Sequence, residues 1–309
     1  MNTLDRYLDA AVRDNTRRSY KAAVEHFEVS WGGFLPATAD SIARYLADFA
    51  GQHSINTLRQ RLAALGQWHT SQGFPDPTKA PLVRQVLKGI RAVHPAQERQ
   101  AAALTLEHLQ QTILALHAQA EQAQREHCLP ALLRARRDTA LLLIGFWRGF
   151  RGDELARLRV EHIQAQAGVG MQLYLPQSKG DRHGRGVQHR APALKSLCPV
   201  QAYLDWITVA GIAHGPVFRK LDRWGNLGEA ALNSASLIAL LRKVFAGAGL
   251  PASLYSSHSL RRGFATWATG NGWDIKALMA HVGWRDVKSA LRYVDASASF
   301  GEMALLPAP

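Results

Sequence analysis

The sequence is poor in cysteine, in long apolar runs and in acidic residues. Its 309 residues include two cysteines, Cys128 and Cys198, which form no CxxC pair and lie near no histidine spacing typical of zinc. Free thiols are therefore expected, as in a reducing compartment. The longest apolar run, Ala140 to Trp147, is far too short to span a bilayer. The polar, acidic stretch Met1 to Asp14 does not resemble a signal peptide. These absences argue against a secreted or membrane-spanning protein and predict a soluble protein of the cytoplasm.

Acidic residues are outnumbered by basic ones throughout the chain. There are 37 Lys and Arg against 24 Asp and Glu, which gives a formal net charge of +13. Residues 1–103 hold 13 basic and 9 acidic side chains, and residues 104–309 hold 24 and 15. Such an excess predicts a polyanion as partner. Basic composition also fits ribosomal and membrane-surface proteins. The charge therefore limits the class of partner but does not indicate which activity the protein has.

The hydrophobic spacing of residues 1–95 predicts helices only. Asp14 or Asn15 can cap the first helix and Ser54 the third, and breaks fall at Gly32-Gly33, near Gly51 and at Pro75 and Pro77. The four apolar stripes are Tyr20, Val24, Phe27 and Trp31; Ile42, Tyr45, Leu46 and Phe49; Ile55, Leu58, Leu62, Leu65 and Trp68; and Leu82, Val83, Val86, Leu87 and Ile90. A compact helical domain over residues 1–95 is therefore expected.

Residues 96–103 lack a periodic face and are predicted to be a linker to a second domain over residues 104–309. That domain mixes helices with short β-compatible runs. Helices are predicted over Asp138 to Trp147 and Asp153 to Leu158, and strands over Val160 to Ile163, Met171 to Pro176 and Val187 to Ala191. After Cys198-Pro199 the pattern is helical to the end. The predicted fold class is mainly α with a small β-sheet (α+β).

Five side chains of the second domain suit the binding and cleavage of a phosphodiester: Arg151, His258, Arg261, Trp284 and Tyr293. Arginine presents a planar fork to two phosphate oxygens at once. Histidine moves a proton near neutral pH. A phenol, with a pKa of about 10, needs nearby cations to act as a phenolate nucleophile.

Each of these residues also has an ordinary structural alternative. An arginine such as Arg151 is often a solvated residue at a helix start, and His258 can be a capping histidine. Tyr255 competes with Tyr293 for the role of nucleophile because it lies close to His258. A tyrosine on an apolar helix is also more often part of the core than catalytic.

Basic residues next to these motifs are candidates for DNA contacts. On a helix Arg262 projects about 100° away from Arg261, so one of the two is expected to be a surface charge or a DNA-backbone contact. Lys179 begins a turn-rich hairpin that also carries Arg182 and Arg185. Its ammonium group can protonate a leaving 5′ oxygen, or the hairpin can contact DNA without sequence preference.

The ordered set of motifs resembles the tyrosine recombinases of the phage-integrase type, with their Cre- and Xer-like members. Any one motif is weak, but nearly the whole chain is covered and the set in this order is specific. Residues 14–93 are similar to the family's core-binding domain, most visibly at Asn15 to Tyr20. The other matching segments are GFRGDEL at 149–155, Lys179, HSLRRGFAT at 258–266, HVGW at 281–284 and LRY at 291–293.

The resemblance implies a helical, SAM-like core-binding domain followed by the recombinase catalytic domain. It also implies double-stranded DNA with a specific recombination site as substrate, self-association into a tetrameric synapse, and no metal or cofactor. Arg17, Arg18, Lys21, Arg182, Arg185 and Arg262 are the predicted DNA-binding residues. The apolar tail, Asp295 to Pro309, would dock on a neighbouring protomer, with packing in its own subunit as the alternative. Accessory proteins are possible partners.

The resemblance also implies a role for each site residue, with Glu154 orienting Arg151 and His258. In these roles Arg151 and Arg261 would bind the scissile phosphate, and His258 would assist proton transfer. Lys179 would protonate the leaving oxygen, and Tyr293 would form the 3′-phosphotyrosine.

One position departs from most of the family, which has histidine nine residues before the tyrosine. This chain has Trp284 there, as Cre-like members do, and His281 lies twelve before. The indole N–H can donate to phosphate, so Trp284 is predicted to take the site role and His281 to support it.

Two other functions fit the same residues. A type IB topoisomerase would relax DNA as a monomer without exchanging partners. A basic DNA-binding protein with a decayed site would bind but not nick. The complete residue set favours a site-specific recombinase, for integration or for resolution.

Overall fold

The computed structural model describes residues 14–95, 100–176, 186–291 and 293, and it divides into two compact units, Met1–Arg99 and Gln100–Pro309. Predictions for the hairpin residues Lys179, Arg182 and Arg185 and for the tail after residue 293 lie outside the described residues.

The first unit is helical, and no strand forms within residues 14–95. Its helices are α1 (Asp14–Glu25), which continues into a π-helical turn at His26–Ser30, α2 (Ala39–Asp48), α3 (Ile55–Ser71) and α4 (Pro81–Val93), with a 3₁₀ turn at Pro77–Lys79. The Ser54 side chain caps α3 by accepting from the Thr57 amide at 3.1 Å, as predicted. Asp14 belongs to α1 itself.

One apolar stripe of each helix forms the core of this unit. The predicted stripe residues Phe27, Tyr45 and Leu58 are fully buried, whereas Leu82 is 43% exposed. Leu82 was therefore wrongly assigned to the buried face, because α4 presents only Val83 and Ile90 as buried side chains. Pro81 at the first helical position sets where α4 begins.

The second unit contains eight helices and five strands within its described residues. They are α5 (Leu106–Arg125), α6 (Leu129–Arg148), α7 (Gly152–Ala156), β1 (Ile163–Gln166), β2 (Gly170–Leu175), β3 (Val187–Pro192), α8 (Pro199–Ala210), β4 (Arg219–Leu221), β5 (Leu227–Ala231), α9 (Ser234–Gly247), α10 (Ser257–Gly270), α11 (Ile275–Val282) and α12 (Val287–Leu291). The strands form an antiparallel three-stranded sheet in the order β1-β2-β3 and a separate β4-β5 pair.

Helix α6 runs through the centre of this unit and packs against α5, α8 and α10. Two glycines permit the close approach to α10. A Cβ added at Gly145 of α6 would lie 2.7 Å from Leu260 Cδ1 of α10, and one at Gly263 of α10 would lie 2.9 Å from Phe146 Cε2 of α6. The end of α6, where Arg151 follows, is thereby fixed against the helix that carries His258 and Arg261.

Two local expectations for the second unit were wrong. Val160–His162 forms a 3₁₀ turn rather than the start of a strand, and β1 begins at Ile163. The β4-β5 hairpin was not predicted, because Arg219–Leu221 is short and mostly charged and lacks an apolar alternation. Its turn is closed by Asp222, whose Oδ1 accepts from the Trp224 amide at 2.8 Å.

No helix in the described ranges is long and apolar enough to cross a bilayer.

Candidate active site

A buried carboxylate lies between the two candidate phosphate-binding arginines. Glu154 is 5% exposed, and its Oε1 accepts from Arg151 Nη1 at 2.8 Å. Its Oε2 accepts from the Arg151 backbone amide at 2.8 Å and lies 3.9 Å from Arg261 Nη1. Arg151 stands at the N-terminus of α7, so Glu154 also satisfies an end amide of that helix. The two guanidinium groups are therefore held at one place although the residues are far apart in sequence.

Arg261 is a buried cation with an incomplete set of partners. It is 4% exposed, its Nη1 donates to the Gly149 carbonyl at 2.6 Å, and its Nη2 has no acceptor among the described residues. Gly149 ends α6 in the left-handed region, with φ 58°, which a glycine adopts without strain. Burial lowers the pKa of Arg261 to about 10, the Arg151 charge acts in the same direction, and Glu154 and Tyr293 oppose it. Arg261 therefore stays charged at neutral pH.

Trp284 and Tyr293 form a parallel stack beside this cation. Their ring centroids are 5.0 Å apart with planes inclined by 6°. The Arg261 guanidinium carbon lies 5.1 Å from the centre of the Trp284 ring. The Tyr293 backbone is tied by its amide to the Ala290 carbonyl, and its carbonyl accepts from Thr269 Oγ1 at 3.2 Å. Tyr293 thus stands next to the arginine cluster in its own subunit.

His258 lies in the first turn of α10, three residues before Arg261, and is exposed. Its helix start is close to the start of α7, since a Cβ added at Gly152 would lie 3.1 Å from Ser257 Cβ. The first turn of α10, which carries His258, therefore lies beside the start of α7, where Arg151 stands.

His281 contacts a different cation, Arg148, which is 4% exposed. His281 Nε2 donates to the Trp147 carbonyl at 2.8 Å, because a carbonyl can only accept, so Nδ1 accepts from Arg148 Nη1 at 2.9 Å. The ring also packs on Phe264 at 4.7 Å between centroids. Burial and then the Arg148 charge lower the pKa of His281 to about 4. His281 is therefore a neutral side chain with both ring nitrogens engaged.

Arg148 and His189 were not singled out from the sequence. Arg148 Nη2 contacts His189 Nδ1 at 2.9 Å, and Arg148 Nη1 donates to the Arg190 carbonyl at 2.7 Å. The pKa of His189 is lowered to about 4, first by burial and then by Arg148. This cluster ties the end of α6 to β3 and α11. The only sequence signal was a charged residue at the end of an apolar helix.

Tyr255, the competing nucleophile, is part of the core. It is 3% exposed, its hydroxyl is paired with His108 Nδ1 at 3.0 Å, and its ring packs on Phe245 at 4.9 Å. Burial raises the pKa of Tyr255, which disfavours its phenolate form.

The described DNA-binding candidates lie at two places. Arg17, Arg18 and Lys21 are exposed on α1, where Arg18 Nη2 donates to Asn15 Oδ1 at 2.5 Å. Arg262 is half-buried on α10 beside Tyr293. Groups of three or more His, Cys, Asp or Glu side chains able to hold a metal ion are absent from the ranges that the structure describes.

A phenol, an indole and two guanidinium groups joined by a carboxylate, on a mainly helical domain with a small sheet, are the groups that a phosphoryl-transfer enzyme with a tyrosine nucleophile requires. The sequence profile of the phage integrase family matches residues 121–299. The chain belongs to this family, the tyrosine recombinases, which cleave DNA strands and transfer them to new partners.

Similar proteins agree with this assignment. The integrase/recombinase xerD homolog of Selenomonas ruminantium is 29% identical, covering 97% of this chain and 87% of the relative. The recombinase cre of Escherichia phage P1 is 25% identical, covering 84% of this chain and 77% of the relative. Among solved structures, XerH bound to palindromic difH has a TM-score of 0.60 at 16% identity, covering 89% of this chain and 75% of that one. The Tn1549 integrase in complex with a circular intermediate DNA has a TM-score of 0.59 at 15% identity, covering 93% and 91%. These structures share the fold.

Proposed function

We propose that this recombinase acts at a specific DNA site through a covalent 3′-phosphotyrosine formed by Tyr293. The observation that carries the proposal is the stack of Tyr293 on Trp284 beside the Arg261 guanidinium. Tyr255, the rival nucleophile, is buried with its hydroxyl bonded to His108.

The proposed step is an in-line displacement at phosphorus. The Tyr293 hydroxyl oxygen attacks, a Tyr O–P bond forms, and the bond between phosphorus and the 5′ oxygen breaks. The phenol proton leaves with help from His258, and the 5′ oxygen takes a proton from Lys179. The reverse attack by a 5′ hydroxyl restores the phosphodiester, so the covalent link conserves the bond energy and no ATP is consumed.

Arg151 and Arg261 would bind the non-bridging oxygens of the scissile phosphate. Arg261 suits this role because its buried Nη2 has no acceptor within the described residues. A preorganised, poorly hydrated cation stabilises developing negative charge more strongly than a solvated one. Glu154 would hold both guanidinium groups in register, and Trp284 would donate its indole N–H to the phosphate. His281 would support the site from behind, since both its nitrogens face other partners.

The partner we propose is double-stranded DNA, gripped in part by Arg17, Arg18 and Lys21 of the first unit, with Arg182 and Arg185 as further candidates in the second. DNA-bound relatives of the same fold and the net charge of +13 support this. We further propose a tetrameric synapse, metal-independent chemistry and a place in the cytoplasm of a bacterium or in a phage or plasmid context. The family assignment favours strand exchange over relaxation by a type IB topoisomerase and over binding without cleavage.

A nicked suicide substrate tests the nucleophile. The wild type is expected to accumulate a covalent protein–DNA adduct on a denaturing gel, and Tyr293→Phe none, because phenylalanine keeps the ring stack but lacks the attacking oxygen. Tyr255→Phe is the matched control and should still form the adduct. An adduct with Tyr293→Phe would move the nucleophile elsewhere.

A further inference from the structure

A second arginine covers the ring of the proposed nucleophile. The guanidinium carbon of Arg262 lies over the Tyr293 ring, 5.7 Å from its centroid, while that of Arg261 lies over Trp284 at 5.1 Å. Neighbouring residues on a helix diverge by about 100°, so two consecutive arginines of α10 reach two different rings. The two stacked rings thus each carry their own cation.

The Arg262 guanidinium is held by one side chain besides the ring. Its Nη1 donates to Gln100 Oε1, and its Nε is buried without an acceptor among the described residues. Gln100 is the first residue of the second unit. An arginine used only as a surface charge would not need a buried Nε or a fixed amide partner.

Gln100 begins a segment that is fastened to the site helix. The Ala102 amide donates to the Leu254 carbonyl at 2.9 Å, and the Leu104 amide donates to the Ser259 carbonyl at 3.0 Å. The Leu104 carbonyl packs so closely on Gly263 that a Cβ there would lie 2.0 Å away. Residues 102–104 are therefore bonded in place beside α10, and Gln100 lies two residues before the first of these bonds, where its side chain reaches the Arg262 guanidinium.

We propose that Arg262 is a positioning residue for the Tyr293 nucleophile, and that Gln100 holds the Arg262 guanidinium over the phenol ring. This inference rests on the proposed role of Tyr293. A cation over an aromatic face is attracted by the ring quadrupole, so Arg262 limits the orientations of the phenol and keeps its oxygen toward the phosphate. A misplaced nucleophile costs rate even when substrate binding is intact.

This role differs from the DNA contact that the sequence suggested for Arg262. An arginine that neutralises a phosphate contributes to affinity and to its salt dependence, and its removal changes the salt slope by about 0.9. A positioning role contributes to the rate of cleavage in the bound complex. The two roles are separable by measuring both quantities for the same variant.

The test measures single-turnover adduct formation on a suicide substrate at saturating protein, together with the affinity at several salt concentrations. Arg262→Gln is expected to form adduct about tenfold more slowly, because one cation–π interaction with the ring is removed, with unchanged affinity and salt slope. Arg262→Lys, which keeps the cation, should recover part of the rate. Arg125→Gln, which removes an exposed arginine of α5, is the matched control and should cleave at the parent rate.

The Gln100 part of the proposal is tested by a double-mutant cycle. Gln100→Ala should slow adduct formation in the same direction as Arg262→Gln but by less. The double variant should be no slower than Arg262→Gln alone, because the amide acts through the guanidinium. Additive effects of the two changes would overturn the link between Gln100 and Arg262.

A substrate with sulfur in place of the bridging 5′ oxygen shows whether Arg262→Gln slows the attack of the nucleophile or the protonation of the leaving group. A thiolate leaves without being protonated, since it is the weaker base, so this substrate relieves a missing general acid. The Arg262→Gln defect should persist on it, because it concerns the attacking oxygen. The proposal would be overturned if Arg262→Gln formed adduct at the parent rate, either on this substrate or on the normal one. It would also be overturned if the variant lost only affinity and salt slope. An adduct with Tyr293→Phe would instead overturn the proposed nucleophile itself.

Discussion

His281 and His189 share one guanidinium, and this arrangement requires both imidazoles to be neutral. Each offers a lone pair to Arg148, so a proton on either contacting nitrogen would place two cations against each other. The groups around His281 are the Arg148 cation, the Trp147 carbonyl, the rings of Phe264 and Trp273, and His189. The folded protein is therefore expected to lose stability at acid pH, where imidazoles take up protons.

We expect the free energy of unfolding to fall as pH drops from about 6.5 to about 4. The pKa of each of the two histidines is about 4 in the folded protein, against an ordinary histidine pKa of 6.5 that applies to the unfolded chain. Above about 6.5 both states are neutral and the stability is complete. Below it the unfolded chain binds protons first, at a cost of up to about 1.4 kcal/mol per pH unit for each histidine. Denaturant titrations across this range measure the loss.

His281→Gln tests whether His281 contributes to this loss of stability, because an amide can accept from Arg148 and donate to the Trp147 carbonyl without titrating. It should show a shallower decline toward pH 4 and should still form the DNA adduct at neutral pH, since the site role is assigned to Trp284. A decline unchanged by this variant would remove His281 from the explanation. A loss of cleavage at neutral pH would instead assign His281 a direct role in catalysis.

At the scale of the element, α10 carries His258 and Arg261, and Gly263 is the residue of this helix at which its packing is closest. Gly263 lies where the Leu104 carbonyl and the Phe146 ring meet the helix, at 2.0 Å and 2.9 Å from an added Cβ. Gly270, the last residue of the same helix, has no neighbour within 4 Å of such a Cβ. The two positions therefore respond to the same substitution in opposite ways.

Gly263→Ala is expected to destabilise the protein by about 3 kcal/mol, because backbone must move to admit the methyl group. Gly270→Ala should be neutral or stabilising by up to about 1 kcal/mol, since alanine favours the helix and meets nothing. Thermal unfolding of both variants beside the parent measures the contrast. Equal melting temperatures for the two variants would contradict the packing described for α10.

The elements differ in how far the sequence could predict them. The apolar stripes of α2 and α3 identified their core faces, since residues such as Ile42, Tyr45 and Leu65 repeat with the helical period and are buried. The β4-β5 pair could not be foreseen, because its short strands bury almost nothing and only the turn at Asp222 marks it.

The residues and contacts of the candidate site likewise differ in how far the sequence could predict them. The spacing of three residues predicted that His258 and Arg261 share one helix, and both lie on α10. The choice of Trp284 over His281 came from the family resemblance. The partners of Arg148 could not be predicted, since they lie more than 40 residues away and depend on how β3 and α11 pack. Contacts of that kind come from tertiary packing, which no periodicity in one segment encodes.

At the scale of the whole molecule, the net charge of +13 predicts a DNA affinity that falls steeply with salt. Replacing Arg17, Arg18 and Lys21 together with glutamine should lower affinity and make the log–log salt slope shallower by up to about 3, or about 0.9 for each phosphate contact. Adduct formation by the bound complex should be unchanged. Binding isotherms at several salt concentrations measure the slope.

The matched triple variant replaces Arg84, Lys88 and Arg91, which are exposed on α4. If DNA meets the α1 surface, this second variant should leave the slope close to that of the parent. A slope changed by the α4 variant alone would assign the DNA-facing surface of the first unit to the other helix.

The fastening of residues 100–104 onto α10 limits how the protein can be re-engineered. A hybrid enzyme that replaces the amino-terminal module with a foreign DNA reader must be spliced ahead of Gln100. A junction at Leu106, where the first helix of the second unit begins, would discard the backbone bonds of Ala102 and Leu104 and the amide that faces Arg262. Such a chimera would keep every motif residue of the second unit, and under the proposed role of Arg262 its phenol would nevertheless be loosely held.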